Sequence, residues 1–362
     1  MKYCVRCLYP DTKPDLSFDA EGICSACRNY ENREKVDWEA RAKEFVDVVW
    51  QHKSADYDCI VPVSGGKDST YQVIRLKSLG LKPLAVTATT DSLTPLGRRN
   101  LDNIRELGVD HIEVSVNPVI RRKINRIALE TVGDISWPEH VTIFTIPVRI
   151  AVQLGIKLIV WGECPQNEYG GPAAENKTLD RKWLEEFGGL LGLRVSDIIG
   201  QDGITNEDMV QYTYPKDTGD VTGVFLGHYF PWDGLNNFLI SSANGFECKS
   251  IPVEGSLACY ENLDNYQTGI HDYFKFLKLG FGRATDIACN HIRRNRVTRA
   301  EALEMVRKND GRFPRTCHGR PLEEILSEIG MTLDEFRRIC HQFTNRKIFK
   351  DVEAPDYPGS AV

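Results

Sequence analysis

Residues 57–70 read YDCIVPVSGGKDST, and this stretch decides the fold. Its first seven residues form a short apolar, β-branched run that predicts a buried strand. Ser64 to Ser69 then break the pattern. Apolar residues resume at helical spacing as Val73, Ile74, Leu76 and Leu79, with Gly80 as the stop. A strand that turns through glycines into a helix aims backbone N–H groups and a positive helix end at an anion. Gly65 and Gly66 permit a close backbone approach, and Ser64 and Ser69 bring hydroxyls. Lys67 adds a cation, and Asp68 a carboxylate able to hold magnesium between phosphates. The spacing is not G-x-x-x-x-G-K-[ST], so it does not predict γ-phosphoryl transfer.

Outward from this loop the chain alternates. LKPLAVTA (81–88), HIEVSV (111–116) and IKLIVWGE (156–163) read as further strands. Helical spacing covers 36–53, 95–107, 119–131 and 139–154. Such alternation predicts an α/β fold with a parallel sheet covered on both faces. Ligands of such sheets lie beyond the carboxyl ends of the strands. SGGKDS, Thr87 to Asp91 and Gly162-Glu163-Cys164 would therefore line one crevice, whatever the strand order. Residues 180–222 are polar, helical or loop-like, and GVFLGHYFPWDG (223–234) reads as a strand and turn. From Tyr260 onward the chain reads as mostly helical, ending in the tail EAPDYPGSAV. The expected divisions are a cysteine-rich segment at 1–35, the α/β domain at 36–240 and a helical substrate-binding region at 241–362.

Composition narrows the class. Of 362 residues, 41% are hydrophobic and 27% charged, ordinary for a globular protein. No apolar run approaches the ~20 residues that cross a bilayer. The first residues, MKYCVRCLYPDTKP, lack the apolar core of a signal peptide. The expectation is a cytoplasmic protein with no membrane partner. A net charge of −6 argues against general nucleic-acid binding. Residues 271–320 nevertheless hold twelve Lys and Arg against five Asp and Glu, which suits either a specific anionic partner or a solvated helical face.

Four of the eleven cysteines form two C-x-x-C pairs, Cys4/Cys7 and Cys24/Cys27, with sixteen residues between them. Four thiolates so spaced fit structural zinc or an iron–sulfur cluster, and either leaves no open ligand position for catalysis. The metal would supply order to a segment too short and polar for a core of its own.

Two later stretches carry polar groups. Residues 162–171 read GECPQNEYGG, placing Glu163, Glu168 and Tyr169 beside the crevice. Residues 260–286 read YENLDNYQTGIHDYFKFLKLGFGRATD, with His271, Asp272, Lys275 and Arg283. IRRNRVTRAEA (292–302) follows, with Arg293 and Arg294. SGGKDS resembles the PP-loop, S-G-G-x-D-S, of ATP pyrophosphatases, whose fold is adenine-nucleotide α-hydrolase-like. With the cysteine pairs, WGECPQNEYGG, GVFLGHYFPWD, the 260–286 run and the Arg-rich stretch, nearly the whole chain resembles bacterial N-acetyl sugar amidotransferases. These act in O-antigen, pseudaminic acid and legionaminic acid biosynthesis. Cys164 stands where that family would favour Asn.

The resemblance implies an ATP-dependent ligase that adenylates an N-acetyl oxygen of a nucleotide sugar and replaces it with ammonia, releasing AMP and pyrophosphate. ATP would lie on Ser64, Gly65, Gly66, Lys67, Asp68 and Ser69, near Thr87 and Gly162, with magnesium on Asp68. Lys67, Asp68, Glu163, Glu168 and His271 with Asp272 are the candidates for catalysis. Tyr169, Lys275, Arg283, Arg293 and Arg294 are those for the substrate. The chain shows no glutaminase motif: residue 2 is Lys, and no G-x-C-x-G elbow occurs. A separate glutaminase and a channel-forming partner are therefore expected to supply ammonia. Two rivals remain open at this stage, a PP-loop tRNA thiolase with RNA on the basic segment and sulfur on Cys164 or Cys59, and a non-catalytic nucleotide-binding regulator.

Overall fold

The computed structural model describes residues 1–164, 166–170 and 191–350. Pro165 and Gly171 of the WGECPQNEYGG stretch, the first part of the 180–222 stretch and the tail lie outside the described residues.

Five strands form one parallel sheet: β1 (Cys59–Pro62), β2 (Pro83–Ala88), β3 (Asp110–Val114), β4 (Leu158–Trp161) and β5 (Thr222–Phe225). Their order is β3-β2-β1-β4-β5. Ile60 pairs with Leu84 on one side and Ile159 on the other. β1 and the strands beside it are nearly wholly buried, as a sheet covered on both faces requires. One face carries α5 (Pro118–Val132) and α6 (Trp137–Leu154), which pack Ile124, Trp137 and Ile146 against the sheet. The other carries α2 (Trp38–Gln51), α3 (Lys67–Ser78) and α4 (Pro95–Glu106), through Phe45, Leu76 and Leu101. The order reverses between β1 and β4. SGGKDS follows β1 and Gly162-Glu163 follows β4, so both segments flank the place where open α/β sheets take ligands.

Helix starts follow local chemistry. Asp37, Thr94 and Asn117 accept N-terminal N–H groups of α2, α4 and α5, and Pro95 and Pro118 open the last two. The sequence predicts a third strand at 111–116, but its ladder ends at Val114, which accepts from Thr89 N. The expected strand at 223–234 is β5, and it closes the sheet's edge before a helical turn at Leu226–Tyr229.

Beyond β5, α7 (Gly234–Ser242) lies along α3. A helical layer follows: α8 (Thr268–Leu279), α9 (Arg283–Arg293), α10 (Arg299–Asn309), α11 (Leu322–Glu328) and α12 (Leu333–Phe343). The mostly helical expectation meets one exception, a two-stranded hairpin of Thr316–Cys317 with Arg320–Pro321. The cysteine segment has no core of its own and shares one with α9 and α10. Cys4, Tyr9 and Cys27 pack with Phe281, Ala288 and Val306. Leu8 N donates to Cys289 Sγ, and Arg299 Nε to the Cys7 carbonyl.

Candidate active site

The loop after β1 closes on itself. Gly66 N lies 3.4 Å from Ser64 Oγ, and Ser69 Oγ donates to the Gly66 carbonyl at 3.0 Å. Gly65 has φ +79, and a Cβ there would come 2.7 Å from Leu101 N, so only glycine fits between loop and α4. Lys67 is buried and does not point to solvent. Its Nζ lies 2.7 Å from Asp68 Oδ2 and 2.6 Å from Glu261 Oε1. Burial works against its charge, but Asp68 and Glu261 outweigh that and hold the ammonium above its ordinary pKa. Asp68 Oδ1 accepts from Asn237 Nδ2 at 2.7 Å, and Ser241 Oγ donates to the Lys67 carbonyl at 2.7 Å, so α7 fixes the start of α3.

Two clefts meet at Asp68. One, of about 320 Å³, runs from Ser64 and Ser69 to Gly162 and Glu163, floored by Val63, Ala88 and Phe144. The other, of about 170 Å³, is walled by the whole of residues 64–69 and by Glu261 to Asp264. An apolar slot beside a ring of amides and hydroxyls suits a nucleotide, base in the first and phosphates in the second. Glu163 faces both Asp68 and Tyr169, whose hydroxyl donates to Glu163 Oε2 at 3.1 Å. Burial, then Asp68 and Glu168, push its carboxyl up to about 8. Asp68 and Glu261 thus flank one ammonium with Glu163 beside them, an excess of negative charge that would favour a magnesium ion.

The other candidates separate. Thr87 Oγ1 donates to the Val63 carbonyl at 2.7 Å and meets His111 Nε2 at 2.8 Å, so it ties β1 to β2 and lines neither cleft. Glu168 is clamped by Arg33 and by Arg294 Nη2 at 3.2 Å, which occupies the oxygens a proton-transfer role would need. Arg293 Nη2 donates to the Glu168 carbonyl at 2.9 Å and its guanidinium lies over the Tyr9 ring. Arg294 also holds the Trp232 carbonyl, though it lines the small cavity with Tyr169. Lys275 pairs with buried Asp286, which also accepts from Tyr9. Arg33, Arg293, Arg294 and Lys275 are thus each engaged by a carboxylate or carbonyl of the wall.

His271 and Asp272 do not act as a pair. His271 Nδ1 lies 2.7 Å from Asp134 Oδ1, and His140 Nδ1 3.3 Å from Asp134 Oδ2. Burial opposes the Asp134 charge, yet the two imidazoles hold its carboxyl well below the ordinary range. Asp272 instead accepts from Asn262 Nδ2 at 2.8 Å and from Arg283 at 3.4 Å. Sequence reasoning missed Glu261, Asn237, Asp134 and His140. Glu261 lies inside the 260–286 run and, as an acid between Tyr260 and Asn262, could have been singled out. Nothing local marks the others, whose partners stand up to 169 residues away.

The cysteine frame fits a tetrahedral ion. All four Sγ atoms lie within 4.8 Å of one another, with Cys4–Cys27 at 3.9 Å and Cys7–Cys24 at 3.6 Å. Ligands at the ~2.3 Å zinc–sulfur bond length would sit about 3.8 Å apart. Cys7 N and Cys24 N both donate to Cys4 Sγ, the usual support of a thiolate ligand. The frame leads directly to the site. α1 (Ser25–Asn32) starts within it and packs on the turn Gln166–Gly170, where a Cβ on Gly170 would come 2.7 Å from Ala26 N.

Residues 254–358 match a family model described as LPS biosynthesis protein WbpG-like, C-terminal domain. No curated protein sequence matches the chain. A solved structure of NMN synthetase from Francisella tularensis resembles 60% of this chain and 99% of its own at 15% identity and a TM-score of 0.29, too slight a likeness to argue from.

Proposed function

We propose that this chain, whose residues 254–358 match the WbpG-like LPS biosynthesis C-terminal domain model, is an ATP-dependent amidotransferase acting on an N-acetyl sugar. An amide carbonyl is a poor electrophile because its nitrogen lone pair delocalises into it. Attack of the amide oxygen on the α-phosphorus of ATP expels pyrophosphate and gives an O-adenylated imidate. Ammonia adds to the imidate carbon, the C–O bond breaks, AMP leaves with the former amide oxygen, and an acetamidino group remains.

One observation carries this reading: the 64–69 loop and Glu163 share a cleft at Asp68. The loop amides, Ser64 and Ser69 would hold the departing phosphates while the cleft beyond Val63 takes the base. Asp68 and Glu261 would carry magnesium, which screens the phosphate charge, and their release of Lys67 would turn its ammonium onto the phosphates. Glu163, held by Tyr169 with its carboxyl pushed up to about 8, suits accepting a proton from adding ammonia. A thiolase reading fares worse. Cys59 and Cys164 are both buried in the apolar clusters around the sheet, so neither stands as a sulfur carrier.

Incubation with nucleotide N-acetyl sugars, ATP and ammonium should give AMP, pyrophosphate and a product whose mass reports replacement of O by NH. Asp68→Ala should abolish acceptor-dependent pyrophosphate release. ADP and orthophosphate as products would overturn the scheme.

A further inference from the structure

A cavity of about 830 Å³ opens in the C-terminal layer, between residues 249–257, the start of α8, the junction of α8 with α9, and residues 305–319. Asn262 links it to the phosphate cleft: the residue lines that cleft and donates to Asp272 Oδ2 at 2.8 Å, and Asp272 lines the cavity. A ligand seated in the cavity therefore reaches the 64–69 loop by crossing one pair of side chains.

The charges of the lining are unbalanced in their commitments. Its three acids are all engaged. Asp272 holds Asn262 and Arg283, and Glu254 accepts from Thr316 Oγ1 at 2.9 Å and His318 N at 3.3 Å. Asp310 caps α9 through the N–H groups of Gly282, Ala284 and Thr285. Three of the cations are not so held. Lys249, Lys308 and Arg312 have no acidic partner within 4.0 Å among the described residues. His318, in the left-handed region at φ 53, adds an imidazole whose buried Nδ1 has no hydrogen-bond partner. Ile251, Val253, Leu257, Met305 and Phe313 add an apolar stretch of wall, and Ile251 is 70% exposed.

We propose that this cavity binds the carrier of the acceptor sugar, a diphosphate ester with an aromatic or aliphatic body. Its phosphates lie on Lys249, Lys308 and Arg312 and its body against the apolar wall. The sugar reaches over Asp272 and Asn262 toward Asp68. A free phosphate would answer the cations and leave the apolar wall bare. An unphosphorylated sugar would leave the cations unanswered and most of the volume empty, since pockets of roughly 300–1,000 Å³ take whole cofactor-sized ligands. What happens to the sugar rests on the amidotransferase reading; the binding does not. Two carriers share this chemistry, a nucleoside and a polyprenyl chain.

Titration of the intact chain with UDP-N-acetylglucosamine and, separately, with farnesyl diphosphate tests the site and names the carrier by which ester binds. Lys308 and Arg312 are both exposed, so charge reversal there leaves the packed core untouched. Lys308→Glu with Arg312→Glu should weaken that ester by about tenfold or more, the loss expected for charge-assisted contacts. The affinity for ATP should stay within about twofold of the unchanged chain, a difference well under 1 kcal/mol. Lys249→Glu gives an independent second variant. Binding of neither ester, or equal binding by the variants, overturns the proposal. Variant-sensitive binding without any pyrophosphate release would keep the cavity and remove the amidotransferase reading. Pyrophosphate release with an unchanged KM in the variants would do the reverse.

Discussion

Glu163 is the residue whose chemistry depends most on its surroundings. Its folded value of about 8 stands above the ordinary 4.5, so the native state keeps a proton that the unfolded chain loses. The stability tied to that proton is fully present below about pH 4.5 and is lost as pH rises through about 8. Glu163→Gln removes the titration. Its melting temperature relative to the unchanged chain should therefore climb between about pH 5 and 8 and then level. A difference that stays flat with pH would show that the carboxyl is not perturbed. Gly65 gives the matching steric test. With φ +79 and Leu101 N only 2.7 Å from where a Cβ would stand, Gly65→Ala should weaken ATP binding and cost about 1–3 kcal/mol in unfolding free energy. An alanine variant with unchanged nucleotide affinity and melting would remove the loop from the phosphate site. Ser64 to Ser69 were legible in sequence because the whole device is local: strand, glycines, helix start. Glu261 and Asn237 were not, because each meets Lys67 or Asp68 across 169 or more residues, and one sequence records no such distance.

The elements divide the same way. β1, β2 and β4 and the helices between them were readable from apolar runs and 3.6-residue spacing, since burial on both faces leaves that pattern in the chain. The order β3-β2-β1-β4-β5 was not, because pairing depends on where each crossover returns, and β5 is only four residues long. The cysteine pairs were legible as a metal frame, but not the surface they rest on. They share a core with α9 and α10 and hand α1 to the turn at Gln166–Gly170, beside Glu163 and Tyr169. A metal there would support the site wall as well as the segment. The purified chain should contain one zinc per molecule. Cys24→Ser should lose that zinc and lower the melting temperature by about 5 °C or more, roughly 4 kcal/mol at this chain length. The same variant should lose turnover faster than it loses fold, because the wall at Glu168 moves first. A brown chromophore in place of zinc would assign an iron–sulfur cluster, and full stability without metal would detach the frame from the fold.

At the scale of the whole molecule the proposed amidotransferase reaction raises the question of where its ammonia would come from. Releasing it from glutamine takes a nucleophile, most simply a thiolate, and thiolates need a lowered pKa and an open approach. All eleven cysteines lie among the described residues, and nine of them are buried. Four form the cluster that could hold a metal ion. Cys59, Cys317 and Cys340 are buried, and burial pushes each thiol up. Cys164 and Cys289 are also buried, and Cys248 lies 3.9 Å from Cys259 with its own thiol pushed up by burial and by that neighbour. The chain alone is therefore expected to turn over with ammonium salts and not with glutamine. Its rate at fixed total ammonium should rise with pH as the free base increases and as Glu163 gives up its proton around pH 8. Adding a glutaminase together with a channel-forming partner should confer glutamine dependence and flatten that pH response, because ammonia would then arrive without passing through bulk water as ammonium. Glutamine-driven turnover by the isolated chain would place an amide-cleaving nucleophile within it, and the thiol geometry gives no residue for that role.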